Sequence, residues 1–231
     1  MIEKIAIVAD IHANKYALNK FLKYIDNKDI NCILNIGDFV QIGPNPYEVS
    51  NIILNDIRFV NILGNNETSL LEIDEAEVND EIAHRLWTRE QMKENFEKLK
   101  LIPKTKIITR NNIKILMIHS RKNDIKGMPL IYTEDIDSFV KDYDEFGTDI
   151  VLFGHTHEKL YIEHNGKIFI NPGSLGCSKN GTVDFAILEL NDNKNLNCDF
   201  KSIEYDKTEL IKDYYKNNVP DKEFLLKTFY K

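Results

Sequence analysis

The sequence is poor in the residues that build specialised chains. Its three cysteines, Cys32, Cys177 and Cys198, are an odd number at wide spacing with no C-x-x-C pair. Neither a disulfide frame nor a zinc ribbon is indicated, and buried thiols are expected. Ten glycines and six prolines in 231 residues are too few for a collagen-like repeat or a low-complexity linker. Long hydrophobic runs are missing as well. IAIVA after Lys4 and IVLF before Gly154 are strand-sized, far below the ~20 residues a membrane span needs. The start, MIEKIAIVAD, puts Glu3 beside Lys4 and has no small-residue cleavage site, so it reads as a first strand rather than a signal peptide, and a cytoplasmic location is expected. Positive charge is in deficit, with 30 Lys plus Arg against 37 Asp plus Glu. That balance disfavours nonspecific nucleic-acid binding, and no membrane partner is expected. There is no G-x-x-x-x-G-K-[ST] loop, no G-x-S-x-G elbow and no reactive-cysteine context, which disfavours P-loop, serine and cysteine hydrolysis. Hydrophobic residues make up 42% of the chain, enough to offset the ordering entropy of a packed core. Six histidines are also present, and their placement matters more than their number.

The first half alternates short apolar runs with helical periodicities, the pattern of an α/β layered fold. Strands are expected at Lys4 to Ala9, Cys32 to Ile36 and Phe59 to Leu63. Between them run helices with stripes at Ala17, Leu18, Phe21, Leu22 and Ile25, and at Val49, Ile52 and Ile53. Two β-α-β units of this kind imply parallel pairing. A charged helical insertion is expected at about 76–101, striped by Ile82, Leu86, Met92, Phe96 and Leu99 and stopped by Pro103. Ile113 to Ile118 and Ile150 to Phe153 are further strands, separated by a helix that Thr133 can cap. In the second half Asn165-Gly166 marks a type I′ hairpin, and Val183 to Leu190 pairs with Leu196 to Tyr205 around Asn191 to Asn195. The tail, about 207–231, is helical and split by Pro220. The expected architecture is α/β, two stacked mixed β-sheets flanked by helices, in one domain over 1–231.

Metal-capable side chains occur where the strands end. Asp10 and His12 follow the first strand, Asp38 the second and Asn65 the third. His119 follows ILMI, and His155 and His157 follow VLFG. Loops at strand C-termini are where α/β enzymes place their sites. Any one of these residues alone is weak evidence; together they deliver seven oxygen or nitrogen donors to one rim. His84, on a helix, and His164, beside a turn, are expected to be solvated. The donor set, carboxylate, imidazole and one amide with no thiolate, suits Mn, Fe, Zn, Co or Ni, with manganese ranked first. Seven donors exceed what one octahedral ion uses. Two divalent ions sharing Asp38 is the economical arrangement, and such a pair clamps an in-line displacement at phosphorus with a bridging hydroxide as nucleophile.

The ordered set DIH, GDFVQIGPNP, GNNE, a lone His after a strand, GHTH and NPGS resembles the calcineurin-like metallophosphoesterase superfamily, in its small prokaryotic phosphodiesterase branch. The resemblance implies a four-layer sandwich of two mixed sheets with helices outside. It implies a first metal on Asp10, His12 and His157, a second on Asn65, His119 and His155, and Asp38 between them. Asp38, Asn65 and Asn66 are the catalytic candidates, and Asn66, Arg89 and Arg121 the substrate-binding ones. Trp87-Thr88-Arg89 resembles a WTR segment of the branch, which implies that the insertion stands near the site mouth, and NPGS would support the metal site from behind. The family's third motif commonly carries a histidine, thought to protonate the leaving group, where this chain has Asn66. An amide donates a hydrogen bond but transfers no proton at neutral pH. The expected partner is a small phosphoester; self-association into a homo-oligomer is left open. The alternatives are a weak or inactive scaffold acting as a binding module, or a phosphoprotein phosphatase.

Overall fold

The computed structural model of the chain describes residues 2–73, 80–121, 136–191 and 196–231. Thr133, residues 76–79 of the insertion and residues 192–195 of the second hairpin turn lie outside the described residues. The elements in order are β1 (Ile2–Val8), α1 (Lys15–Ile25), β2 (Cys32–Asn35), α2 (Pro46–Asn55), β3 (Phe59–Asn61), α3 (Asn65–Leu71), α4 (Asp80–Met92) and α5 (Asn95–Leu99). There follow β4 (Thr105–Arg110), β5 (Ile113–Ile118), α6 (Ile136–Lys141), β6 (Ile150–Leu152), β7 (Lys159–His164), β8 (Lys167–Pro172), β9 (Thr182–Asn191), β10 (Leu196–Glu204), α7 (Thr208–Lys216) and α8 (Lys222–Phe229).

They form two five-stranded mixed sheets, ordered β10-β9-β1-β2-β3 and β4-β5-β6-β8-β7. The parallel pairs are β1 with β2, β2 with β3, β5 with β6 and β6 with β8. Period-two alternation turns the strands into layers. Along β1, Ile5 and Ile7, followed by Ala9, face the second sheet with Leu34, Met117, Ile150 and Leu188, whereas Ala6 and Val8 face α1 and α2 through Leu18, Phe21 and Val49. Phe139 and Val140 of α6 cover the far side of the second sheet. The result is helix, sheet, sheet, helix. All parallel strands of each sheet point the same way, so their C-terminal loops collect on one rim.

Two elements were not foreseen. β4 pairs antiparallel with β5 through Asn111 (φ 46°) and Asn112 (φ 61°), a turn with positive φ at both central residues. Asparagine tolerates that region, so Asn111-Asn112 was the available signal. The short helix α3 begins directly at Asn65. The expected Asn165-Gly166 hairpin forms, with φ 49° and 74°. No helix among the described residues is long and apolar enough to cross a membrane.

Candidate metal centre

Asp10, His12, Asp38, His119, His155 and His157 lie on the loops that follow β1, β2, β5 and β6, Asn65 opens α3 after β3, and the fold brings them together. Ligand atoms of Asp10, His12 and Asp38 lie within 4.8 Å of one another, and so do those of Asp38, His119 and His155. Asp38 is common to both groups. Asn65 Oδ1 stands 3.1 Å from His119 Nε2 and 2.8 Å from His155 Nδ1, and the Nε2 atoms of His12 and His157 face each other at 3.0 Å.

The backbone that aims these side chains is strained. Asp10, His12, Asp38, His155 and His157 all adopt φ between 47° and 68°. Each such residue costs on the order of 1–3 kcal/mol, and it persists only where the surroundings over-determine it. The surroundings here are specific. Glu67, fully buried, accepts the N–H groups of Asp38 (2.8 Å), Phe39 (2.7 Å), Val40 (3.1 Å) and Gly64 (2.8 Å), and so clamps the Asp38 loop to the start of α3. The Asn66 N–H donates to Asp38 Oδ1 at 2.8 Å. A Cβ on Gly64 would meet that same Oδ1 at 2.0 Å, so only glycine fits there. His119 Nδ1 donates to the Ile36 carbonyl at 2.6 Å, which turns Nε2 toward Asn65 and Asp38 and fixes the tautomer. Asn171 Nδ2 donates to the Gly154 carbonyl and Thr156 Oγ1, and the Ser174 hydroxyl donates to the Asp10 carbonyl. The NPGS segment thus holds two ligand loops from behind.

One feature of the cluster fits a cation and is hard to satisfy without one. Asp10 Oδ2 accepts the His155 N–H at 3.0 Å, but its Oδ1, fully buried, accepts no hydrogen bond. Oδ1 points among three imidazoles, 3.5 Å from His157 Nε2, 3.7 Å from His12 Nε2 and 3.9 Å from His119 Nε2.

The electrostatics agree. Burial alone would raise the Asp10 carboxyl, but the nearby His157, then His119 and His12, outweigh it and hold it below the usual range. Asp38 is lowered in the same way, burial opposing and His119 prevailing. Burial would lower His119, yet Asp38 and Asp10 push it up to about 10. His157 is raised by Asp10 against its own burial. His12 is lowered to about 4, first by burial and then by His157. Burial and the Asp38 charge push Glu67 up to about 7, while its backbone donors pull the other way. Two buried carboxylates thus draw the surrounding imidazoles toward their charged form.

The remaining candidates are engaged as follows. Asn66 Nδ2 lies 3.3 Å from His12 Nδ1, and its carbonyl accepts from Gln41 Nε2 at 2.6 Å. Arg89 lies over the Phe96 ring at 6.0 Å, and Arg121 pairs with Asp142 at 3.1 Å. His84 is not solvated. It is buried, accepts the Ile42 N–H at Nε2 (3.1 Å) and stacks on Trp87, because α4 packs onto the loop that follows Asp38. His164 pairs with Asp137. Cys177 is buried as expected, whereas Cys32 and Cys198 are half-buried. Sequence reasoning gave no role to Glu67, although an acid three residues into a helix that starts at a glycine signals reach-back to backbone N–H groups. It also missed Phe229 of α8, whose ring centroid lies 6.2 Å from that of His157 and 6.4 Å from that of His12.

Residues 4–193 match the family model of the calcineurin-like phosphoesterase superfamily domain. An uncharacterised protein of Methanocaldococcus jannaschii is 30% identical over 198 residues, covering 77% of this chain and 78% of that protein. A phosphodiesterase of the same organism is 20% identical over 189 residues, 80% of this chain and 92% of its own length. The crystal structure of a metallophosphoesterase from Sphaerobacter thermophilus superimposes with a TM-score of 0.76 at 21% identity, covering 98% of both chains.

Proposed function

The chain belongs to the calcineurin-like phosphoesterase superfamily of phosphoester hydrolases, and from that premise we propose that it is a phosphodiesterase working with two divalent metal ions on a small phosphoester. Asp10, His12 and His157 would hold one ion, Asn65, His119 and His155 the other, and Asp38 would serve both. The observation that carries this reading is the buried, unpartnered Asp10 Oδ1 at the meeting point of three imidazoles. When bound, two such ions supply the charge that activates water and neutralises the phosphoryl oxygens of an in-line displacement.

The chain's own groups do the rest. Glu67 and the Asn66 N–H fix the Asp38 carboxylate, and the Ile36 carbonyl keeps the His119 proton on Nδ1. Asn66, with an amide that can donate but not ionise, orients an oxygen of the substrate and leaves protonation of the departing alkoxide to water. Arg89 and Arg121 are the cations assigned to substrate phosphate, each drawn from the partner it has here. The whole of 1–231 is read as one domain, with the 76–101 insertion and the 207–231 tail flanking the mouth; Phe229 against His157 supports that place for the tail. Manganese is the ion of choice for assay, with iron, zinc, cobalt and nickel as the other candidates.

The test is hydrolysis of bis-p-nitrophenyl phosphate by metal-free protein to which Mn²⁺ is added back. Activity should appear with the metal and be lost in Asp38→Asn. Unchanged turnover in that variant would contradict the assignment of Asp38.

A further inference from the structure

Cys177 stands apart from the other cysteines. Its sulfur and ligand nitrogens of His12 and His157 all lie within 4.8 Å of one another. Three atoms so placed share a point at most about 2.8 Å from each, so a shift of about half an ångström or somewhat more would bring them to the ~2.0–2.3 Å of zinc–nitrogen and zinc–sulfur bonds. The placement is enforced by the backbone. Leu175 N–H donates to the Ala9 carbonyl, Gly176 N–H to the Asp10 carbonyl, and Cys177 N–H to Ser174 Oγ. A Cβ on Gly176 would meet the Ile11 carbonyl oxygen at 1.9 Å, so the segment lies flat on the strand end that carries Asp10 and His12. The second observation is independent of the thiol: Asp10 Oδ1, fully buried and without a hydrogen bond, points at the same two imidazoles. Tyr230 Oη lies 3.6 Å from the sulfur and, with Phe229, shows that the tail helix closes this side of the cluster.

We propose that Cys177 is a sulfur ligand of the ion held by Asp10, His12 and His157, giving that position a mixed nitrogen, oxygen and sulfur donor set that selects a thiophilic divalent cation. The proposal rests on the metal reading above and adds to it, because the expected set held no thiolate. Sulfur shifts preference from manganese toward zinc, cobalt and iron. On binding, the thiol loses its proton to solvent and the sulfur lone pair forms the bond to the cation, with no change of oxidation state. The two ion positions then differ in kind, the Asn65, His119 and His155 position having only oxygen and nitrogen donors.

Metal-free protein titrated with Co²⁺ reads this directly. The wild type should show cobalt ligand-field bands together with a near-ultraviolet sulfur-to-cobalt charge-transfer band. Cys177→Ser should keep the ligand-field bands and lose the charge-transfer band, whereas Cys32→Ser and Cys198→Ser should keep both. Competition between Zn²⁺ and Mn²⁺ should favour zinc less strongly in Cys177→Ser, by on the order of tenfold or more. Ligand-field bands without charge transfer in the wild type would overturn the sulfur ligand and leave the metal site standing. No cobalt binding at all would overturn both. The wild-type spectrum decides even if a Cys177 variant fails to fold.

Discussion

At the scale of single residues, the chemistry turns on what each side chain can hold and what it cannot. Asp10 and Asp38 stay ionised in a buried setting because imidazoles surround them. Asn66 can donate a hydrogen bond but no proton at neutral pH, and its Nδ2 lies 3.3 Å from His12 Nδ1. If a missing acid limits turnover, Asn66→His should speed poor leaving groups, alkyl phosphodiesters for example, by up to the ~10²–10⁴-fold that general acid catalysis supplies, with much less gain for p-nitrophenolate. Equal gains on the two, measured as kcat on paired substrates, would show that another group protonates the leaving oxygen. The seven candidate ligands were legible in the sequence because each directly follows an apolar run that could only be a buried strand. The positive φ of Asp10, His12, Asp38, His155 and His157 was not, since no local preference puts successive Asp and His residues there and only the tertiary clamps hold them. Glu67 was missed because three of the four N–H groups it accepts lie on another loop, 27–29 residues away along the chain.

At the scale of elements, the helical insertion locks the ligand loop to the tail. Ile42, a β-branched residue at φ 74°, sits on the loop after Asp38. Its N–H donates to His84 of α4 and its carbonyl accepts the Tyr214 hydroxyl of α7 at 3.1 Å. His84 must be neutral to accept that N–H, and burial, with Arg85 adding, lowers it to about 4 against the backbone of Pro220. The unfolded chain takes up this proton first, near the ordinary histidine pKa of ~6.5. The stability that neutral His84 contributes is therefore complete above pH 6.5 and lost as pH falls toward 4. His84→Gln keeps an acceptor and cannot titrate. Denaturant unfolding should show wild type losing up to about 3 kcal/mol more than the variant over that window. His12, lowered in the same range, is present in both and cancels. Parallel stability curves would rule out this role for His84. The helical stripe of the insertion was readable from sequence, but its docking was not, because a lone histidine on a charged helix looks the same whether it faces water or a loop. β4 escaped for a related reason: as an edge strand it exposes Thr105, Lys106 and Ile107 and lacks the apolar run that marked its neighbours.

At the scale of the whole molecule, two sheets built from β-α-β units turn their strand C-termini to one rim, and the acidic chain concentrates imidazole and carboxylate there. The layered architecture was legible because short apolar runs such as Lys4 to Ala9 and Cys32 to Ile36 alternate with helical stripes, a pattern that sequence displays directly. A net charge of -7 does not oppose binding of an anionic phosphoester, since two divalent ions would add about four positive charges to the rim. The central claim is that this rim holds two metal ions through Asp38. Metal content per chain, measured on purified protein after Mn²⁺ or Zn²⁺ loading and removal of free ion, tests it most directly. The account predicts about two ions per wild-type chain and a clear drop toward one or none in Asp38→Asn. A wild-type chain that retains well under one ion, or an Asp38→Asn chain that retains as much as wild type, would contradict it.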